Sequence, residues 1–222
     1  FKLIERARQA GYQTLVLTAD VPEVGRRPRE LRHGFKMPFR IGPSQFIDFA
    51  LHPRWSLSSL FKGKPEMANF QMPGYEFDRT ESRARADWDT LTAMRDAWPG
   101  KLVVKGVLDP EDAQMLKTKG VDAVQVSSHG ARQLESAPSP FAMLPVIREA
   151  VGPDFPLFFD SGLKSGEDAL KAMVSGANFT FFGRILQFAI AAGGEAGLIR
   201  MWEILSDEMS IAMAQTGMCN LD

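Results

Sequence analysis

Residues 156–176, PLFFDSGLKSGEDALKAMVSG, read as a single strand-then-helix unit. Leu157, Phe158 and Phe159 form a short apolar run that fits a buried strand, and the run breaks at Asp160, Ser161 and Gly162. Ser165 and Asp168 then resemble a capping box. Leu170, Met173 and Val174 fall on one helical face, and Gly176 marks the stop.

The same order of strand, polar break, cap and helix recurs on both sides. Upstream lie TLVLTAD (14–20), KLVVKG (101–106) and AVQVSS (123–128); downstream lies FTFFGR (179–184). After 101–106, Asp109 stands as N-cap, Pro110 takes the first helical position and Gly120 ends the turn. Ser139 and Pro140 repeat that start, and a long apolar helix is predicted from about 195 to 214. Strand starts near 102, 124, 157 and 179 lie about 22 to 33 residues apart, a reasonable βα repeat. The expected fold class is therefore α/β, a (β/α)8 TIM barrel of which this chain supplies about the last five βα units. Phe1, Ile4 and Ala7 already sit at helical spacing before Gly11, so the chain is expected to be the C-terminal portion of a single longer barrel.

Composition narrows the function classes. A net charge of −1 argues against a nucleic-acid binder, which needs a basic excess. Cys219 is the only cysteine, which leaves no disulfide framework and no cysteine metal cluster, and makes a reducing, cytoplasmic setting the default. No apolar run approaches 18 residues, so no membrane-spanning helix is expected.

In parallel α/β folds chemistry gathers at the C-terminal ends of the strands. Those ends carry Thr18 and Asp20, then Lys105, then Ser127 and His129, then Asp160, Ser161 and Gly162, then Gly183 and Arg184. Each has a structural explanation taken singly: Asp160 as a cap, Lys105 as a solvated loop residue, His129 as one residue of a polar loop. Taken together they form a site. His129 and Arg132, three residues apart, suit an anion, since imidazole moves a proton near neutral pH and guanidinium grips a carboxylate. Gly162 with Lys164, and Gly183 with Arg184, suit a phosphate held by backbone N–H groups and a helix N-terminus. No P-loop and no GxGxxG occurs.

One interval is too long for a βα connection: about 25–80 reads as an insertion. Residues 26–40 hold six Lys or Arg and one Glu, and Phe39, Phe46, Phe49, Trp55 and Phe61 follow. Two readings stay open, a contact with an anionic membrane through about 39–75, or a lid or subunit contact. At its end, Trp88, Leu91, Met94 and Arg95 fall at the spacing of an outer helix within 80–98.

Four stretches in order, LTADVPEVGRRPRELRHGF, LVVKGVLDPEDA, VSSHGARQLE and DSGLKSGEDALKAMVSGANFTFFGR, resemble the FMN-dependent α-hydroxy acid dehydrogenase family. LHPRWS and ANF in the insertion are most similar to its membrane-associated L-lactate and S-mandelate dehydrogenase branch. The resemblance implies FMN as cofactor, no metal, and oxidation of an L-2-hydroxy acid, L-lactate first, to the 2-keto acid. Electrons would pass to a quinone or cytochrome, in a homo-oligomer (a tetramer in the family) located in the cytoplasm or peripherally on the inner face of the cell membrane. It implies His129 as base, Asp20 as the acid that steadies its imidazolium, and Arg27 and Arg132 as the substrate-carboxylate arginines. Lys105, Thr18 and Ser127 would meet the flavin, and Asp160, Ser161, Gly162, Lys164, Gly183 and Arg184 the ribityl-phosphate chain. Ser128, Ser161, Lys164 and Val21 depart from the commoner Asn, Gly, Arg and Thr; Lys164 keeps the charge but lacks the bidentate fork. The alternatives are S-mandelate or glycolate as substrate with oxygen as acceptor, and a non-catalytic phosphate-binding barrel.

Overall fold

In the computed structural model, five parallel strands form one sheet in the order β1-β2-β3-β4-β5. They are β1 (Thr14–Thr18), β2 (Lys101–Val107), β3 (Ala123–Val126), β4 (Leu157–Phe159) and β5 (Phe179–Thr180). The structure describes residues 1–23, 32–34, 41–63 and 87–221. A doubly wound sheet reverses direction at a switch point, whereas a barrel adds each strand beside the last. Spatial order here equals chain order, so the sheet is an arc of a (β/α)8 barrel, as the βα rhythm implies.

The chain divides into two compact units, Phe1–Gly25 with Arg83–Asp222, and Arg26–Ser82. In the first unit the helices are α1 (Lys2–Gln9), then, after the second unit's α2 (Pro43–Leu51) and α3 (Pro53–Lys62), α4 (Trp88–Ala97), α5 (Pro110–Thr118), α6 (Pro140–Val151), α7 (Gly166–Val174) and α8 (Arg184–Thr216). Asp109 caps α5 by accepting from the N–H groups of Glu111 and Asp112, and Ser165 caps α7 by accepting from Asp168 N–H. Ser139 occupies the N-cap of α6 without a side-chain capping bond, so Pro140 carries that start.

Two boundaries differ from expectation. The last helix begins at Arg184 rather than near 195, and breaks at Gly193 and Gly194 (φ −151° and 58°) before running to Thr216. The Gly-Gly pair is thus a joint between two helical pieces, not the end of a loop. The outer helix expected within 80–98 is described from Trp88, with Asp87 as its N-cap accepting from Thr90 N–H; residues 80–86 lie outside the described residues.

One face of the sheet meets the helices. Leu102, Val104, Val124, Val126, Leu157 and Phe159 pack there against Leu116, Leu144, Ile147 and Val151. Each such side chain contributes about 1.5–3 kcal/mol when fully buried. The strand register sets Thr18, Lys105, Gln125, Phe158 and Phe179 side by side. In that row Lys105 and Gln125 bring polar groups onto the sheet, and Phe158, Phe179 and Phe181 form an edge-to-face cluster with centroids 5.0–6.2 Å apart. A register irregularity between Lys105 and Val107 makes Gly106 a bulge.

In the second unit, the stretch read as a loop contains two helices. Pro43 and Pro53, which in sequence look like breakers, occupy first-turn positions of α2 and α3, where a missing N–H costs nothing. Phe49 and Trp55 meet with centroids 5.0 Å apart, and Ser56 Oγ donates to Phe49 O at 2.6 Å. No residue of either helix is buried. Of the basic run 26–40, only residues 32–34 are described.

Candidate active site at the C-terminal end of the sheet

Beyond β1 the backbone stays tied to β2, Ala19 N–H donating to Lys105 O at 2.9 Å, and this sets Asp20 one residue further on. Its carboxylate meets an imidazole from 109 residues away: His129 Nδ1 lies 3.2 Å from Asp20 Oδ1. A carboxylate only accepts, so Nδ1 carries a proton in this pair, and in the neutral imidazole Nε2 is the free acceptor. The other oxygen, Asp20 Oδ2, is buried with no hydrogen-bond partner among the described residues, a costly state that structures keep for a reason.

The room for Asp20 comes from the bulge. A Cβ on Gly106 would lie 2.5 Å from Asp20 Cγ and 2.9 Å from Asp20 N, and its φ is +99°. Only glycine meets both demands. Sequence reading missed this residue, because its neighbour Asp20 is far away in the chain.

A second polar group lies beside the pair. Lys105 Nζ donates to Ser127 Oγ at 2.9 Å and forms an ion pair with Asp160 Oδ2 at 3.4 Å. Ser127 and Ser161 each donate a hydroxyl proton to Asp160 Oδ1 at 2.6 Å, and Gln125 Nε2 donates to Asp160 Oδ2 at 2.6 Å. Ser127 is fully buried and its hydroxyl also accepts from His129 N–H at 3.0 Å, so one hydroxyl ties the base loop to Lys105 and Asp160. Gln125 was also missed; the signal was one amide inside the buried run AVQV.

The remaining residues separate into groups. Thr18 and Arg132 are exposed, Arg132 directly after the one-turn 3-10 helix His129–Ala131. Arg27 lies outside the described residues. Lys164 and Arg184 are exposed, and open space faces the Cα of Gly162 (φ +91°) and of Gly183. Of the two nearby helix starts, that of α7 is already taken: Glu208 Oε2 accepts from Gly166 N–H at 2.7 Å and Ser165 from Asp168 N–H. The start of α8 has no side-chain cap, so its first turn is the one left for an anion. Arg184 also reaches the histidine loop, its Nη2 lying 3.5 Å from where a Gly130 Cβ would be.

A cavity of about 310 Å³ opens beside this cluster, lined by Asp20, Gly106, Leu108, Ser127, Ser128 and Leu134 among others. A larger cavity of about 410 Å³ lies at the other end of the sheet, around Arg95, Lys101 and Asp122. There the charges close on one another, Arg95 Nη1 and Lys101 Nζ each donating to Asp122 at 2.8 Å, so size does not mark the site. Among the described residues no group of three or more His, Cys, Asp or Glu is arranged for a metal.

A parallel barrel whose strand ends hold a base–carboxylate pair, a half-buried lysine and an open phosphate-type corner defines a class of enzyme scaffold. Comparison with known proteins places this chain within that class. The sequence model of the FMN-dependent dehydrogenases matches residues 1–222, and the chain belongs to that family. It is 37% identical to (S)-mandelate dehydrogenase of Pseudomonas putida, over 97% of this chain and 56% of that protein. It is 35% identical to an L-lactate dehydrogenase of Bartonella tribocorum, over 96% and 58%. A crystal structure of the monotopic membrane protein (S)-mandelate dehydrogenase superposes with a TM-score of 0.89 at 36% identity, covering 99% of this chain and 60% of that one. The chain thus spans somewhat more than half the length of the curated relatives it matches.

Proposed function

We propose that this chain carries the proton-transfer and flavin-facing machinery of an FMN-dependent dehydrogenase that oxidises an L-2-hydroxy acid, L-lactate by preference, to the 2-keto acid. The observation that carries the reading is the His129–Asp20 pair, 3.2 Å apart at the same strand ends as Lys105. With Nδ1–H held by Asp20, His129 Nε2 takes the proton from the substrate, and the Asp20 carboxylate stabilises the imidazolium that results. Arg132, with Arg27, holds the substrate carboxylate through paired N–H groups.

The residues present fit FMN. Lys105 is a fixed cation suited to the flavin's N1 and C2 carbonyl edge, Thr18 is exposed at the end of the neighbouring strand, and Ser127 holds the lysine. Gly162, Lys164, Gly183, Arg184 and the uncapped start of α8 fit a phosphate, and Asp160 and Ser161 would meet the ribityl chain. Bound FMN supplies the two-electron oxidant.

The test is an absorption spectrum of the purified protein, in the longest form its gene encodes, after reconstitution with FMN. L-Lactate, glycolate and S-mandelate are then offered with oxygen and with a quinone analogue. Flavin bands with quinone-linked turnover of L-lactate are the expected result. Oxygen consumption with mandelate or glycolate selects the second reading; the 37% identity to a mandelate dehydrogenase supports mandelate as its substrate. No flavin bands and no turnover leave only a phosphate-binding scaffold.

The electron acceptor in this reading is a membrane quinone or a cytochrome, reached from a peripheral position on the inner face of the cell membrane through about residues 39–75. Supporting it, Phe46, Leu51, Leu60 and Phe61 are 69%, 72%, 78% and 86% exposed on helices that bury nothing. Among the described residues no helix is long and apolar enough to cross a membrane. Replacing residues 42–62 with a short flexible linker should release the protein from membranes while dye reduction with L-lactate persists. Unchanged partitioning would make the segment a lid or a subunit contact. The homotetramer implied by the family resemblance is read by light scattering on the same samples.

A further inference from the structure

The loop that carries His129 is strained: His129, Gly130 and Ala131 have φ of 56°, 65° and 59°, three successive residues in the left-handed region, two of them not glycine. Such a backbone persists only when its surroundings over-determine it. What holds it is a set of serine hydroxyls. His129 N–H donates to Ser127 Oγ at 3.0 Å, and Ala131 N–H to Ser128 O at 2.9 Å, with Ser128 Oγ at 3.3 Å. These two serines belong to the loop itself or to the residue just before it. The other two amides, Ser128 N–H at 3.1 Å and Gly130 N–H at 3.0 Å, both donate to one atom from a different strand end, Ser161 Oγ.

An oxygen that accepts twice must send its own proton elsewhere. Ser161 donates to Asp160 Oδ1 at 2.6 Å, and Asp160, an acceptor on both oxygens, fixes the direction of every bond in the group. Ser161 is itself at φ +85°, a conformation glycine adopts at less cost. This chain thus carries a hydroxyl where the family it resembles more commonly has glycine.

We propose that Ser161 is a positioning residue for His129: its hydroxyl braces the amides on either side of the histidine and so holds the imidazole against Asp20. This goes beyond a place beside a cofactor, and its kinetic consequence rests on the oxidation reading above. The variant to make is Ser161→Gly, which relieves the φ strain and removes only the hydroxymethyl group, so it keeps the fold.

In the FMN-reconstituted protein, exchange of the amides of residues 128 and 130 should quicken about tenfold, while α7 stays protected, the change expected for one lost buried hydrogen bond. The His129 Nδ1 proton resonance should broaden. At saturating FMN the rate kcat should fall at least about tenfold, with KM for the hydroxy acid within about twofold of the parent. Unchanged exchange at 128 and 130 overturns the proposal whatever the activity does, and so does faster exchange with parental kcat. A fall in FMN affinity alone, with kcat intact at saturation, makes Ser161 a cofactor contact instead. If the parent oxidises no 2-hydroxy acid at all, the oxidation reading fails, and exchange together with the His129 resonance still decides whether Ser161 braces the loop.

Discussion

At the N-terminal end of the sheet Arg148 gives its protons to the carbonyls of Gly152, Phe155 and Gly176 and to Asn178 Oδ1, while at the C-terminal end Asp20 keeps a buried oxygen with no partner among the described residues. Arg95 repeats the first pattern between β2 and β3, donating to the carbonyls of Trp98 and Gly100 and to Asp122. Charges there are consumed by the loops they anchor. At the C-terminal end the balance is reversed. All three non-glycine residues of positive φ among the described residues, His129, Ala131 and Ser161, lie there, and Lys164 and Arg184 are exposed. The same side-chain types anchor loops at one end and stand exposed at the other, in keeping with the usual division of labour in barrels.

That contrast can be broken from its sharper side first. Asp20→Asn replaces an acceptor-only anion with a neutral amide that can also donate, so it no longer fixes the His129 tautomer or stabilises the imidazolium, and it should lower kcat roughly 10²–10⁴-fold with a melting temperature close to the parent's. Steady-state dye reduction and a thermal melt read the two quantities; a small kcat effect would detach Asp20 from the base. Next comes a matched pair of glycines. Gly106→Ala would push a methyl to 2.5 Å from Asp20 Cγ at φ +99° and should cost roughly 10²-fold in kcat, the scale of a misplaced catalytic group. Gly176→Ala meets Arg148 Cγ at 2.9 Å at φ +110°, and should cost about 1–3 kcal/mol of stability with kcat unaltered. Equal kinetic effects from the two would erase the distinction between the ends.

Arg148→Lys strands several carbonyls that one guanidinium now satisfies, and should lower the unfolding free energy by about 2–3 kcal/mol with turnover intact, as a denaturant titration would read. The smallest effect is expected at Asp122. Burial raises its carboxyl pKa, but hydrogen bonds from Lys101, Leu102 N–H and Arg95 outweigh burial and hold it below its ordinary 3.8. A depressed folded pKa adds stability above the unfolded value, and that stability is lost as pH falls through the folded one. Asp122→Asn should therefore lose up to about 1 kcal/mol near neutral pH and nothing at strongly acid pH. A loss that persists in strong acid would mean that the carboxylate's charge is not what matters.

Much of the fold was legible because it is written locally. Asp109–Pro110 and Ser165–Asp168 announce α5 and α7, and valine-rich runs announce β2 and β3. Boundaries failed where one residue type serves two purposes. Gly193–Gly194 joins two helical pieces, so the helix expected from about 195 begins at Arg184. The site's chemistry-bearing residues were legible by type and by place at the strand ends. Their supports were not, since the fit of Gly106 to Asp20 and the brace from Ser161 to residues 128 and 130 are contacts between distant parts of the chain. No periodicity or cap encodes such contacts.

The most direct measurement is anaerobic mixing of the FMN-loaded protein with L-lactate, following the flavin absorption in the parent and in His129→Gln. The account predicts rapid bleaching in the parent, and in the variant an intact flavin band that bleaches roughly 10²–10⁴ times more slowly. Bleaching of the variant at the parent's rate would contradict it, since His129 would then hold no part in moving the proton.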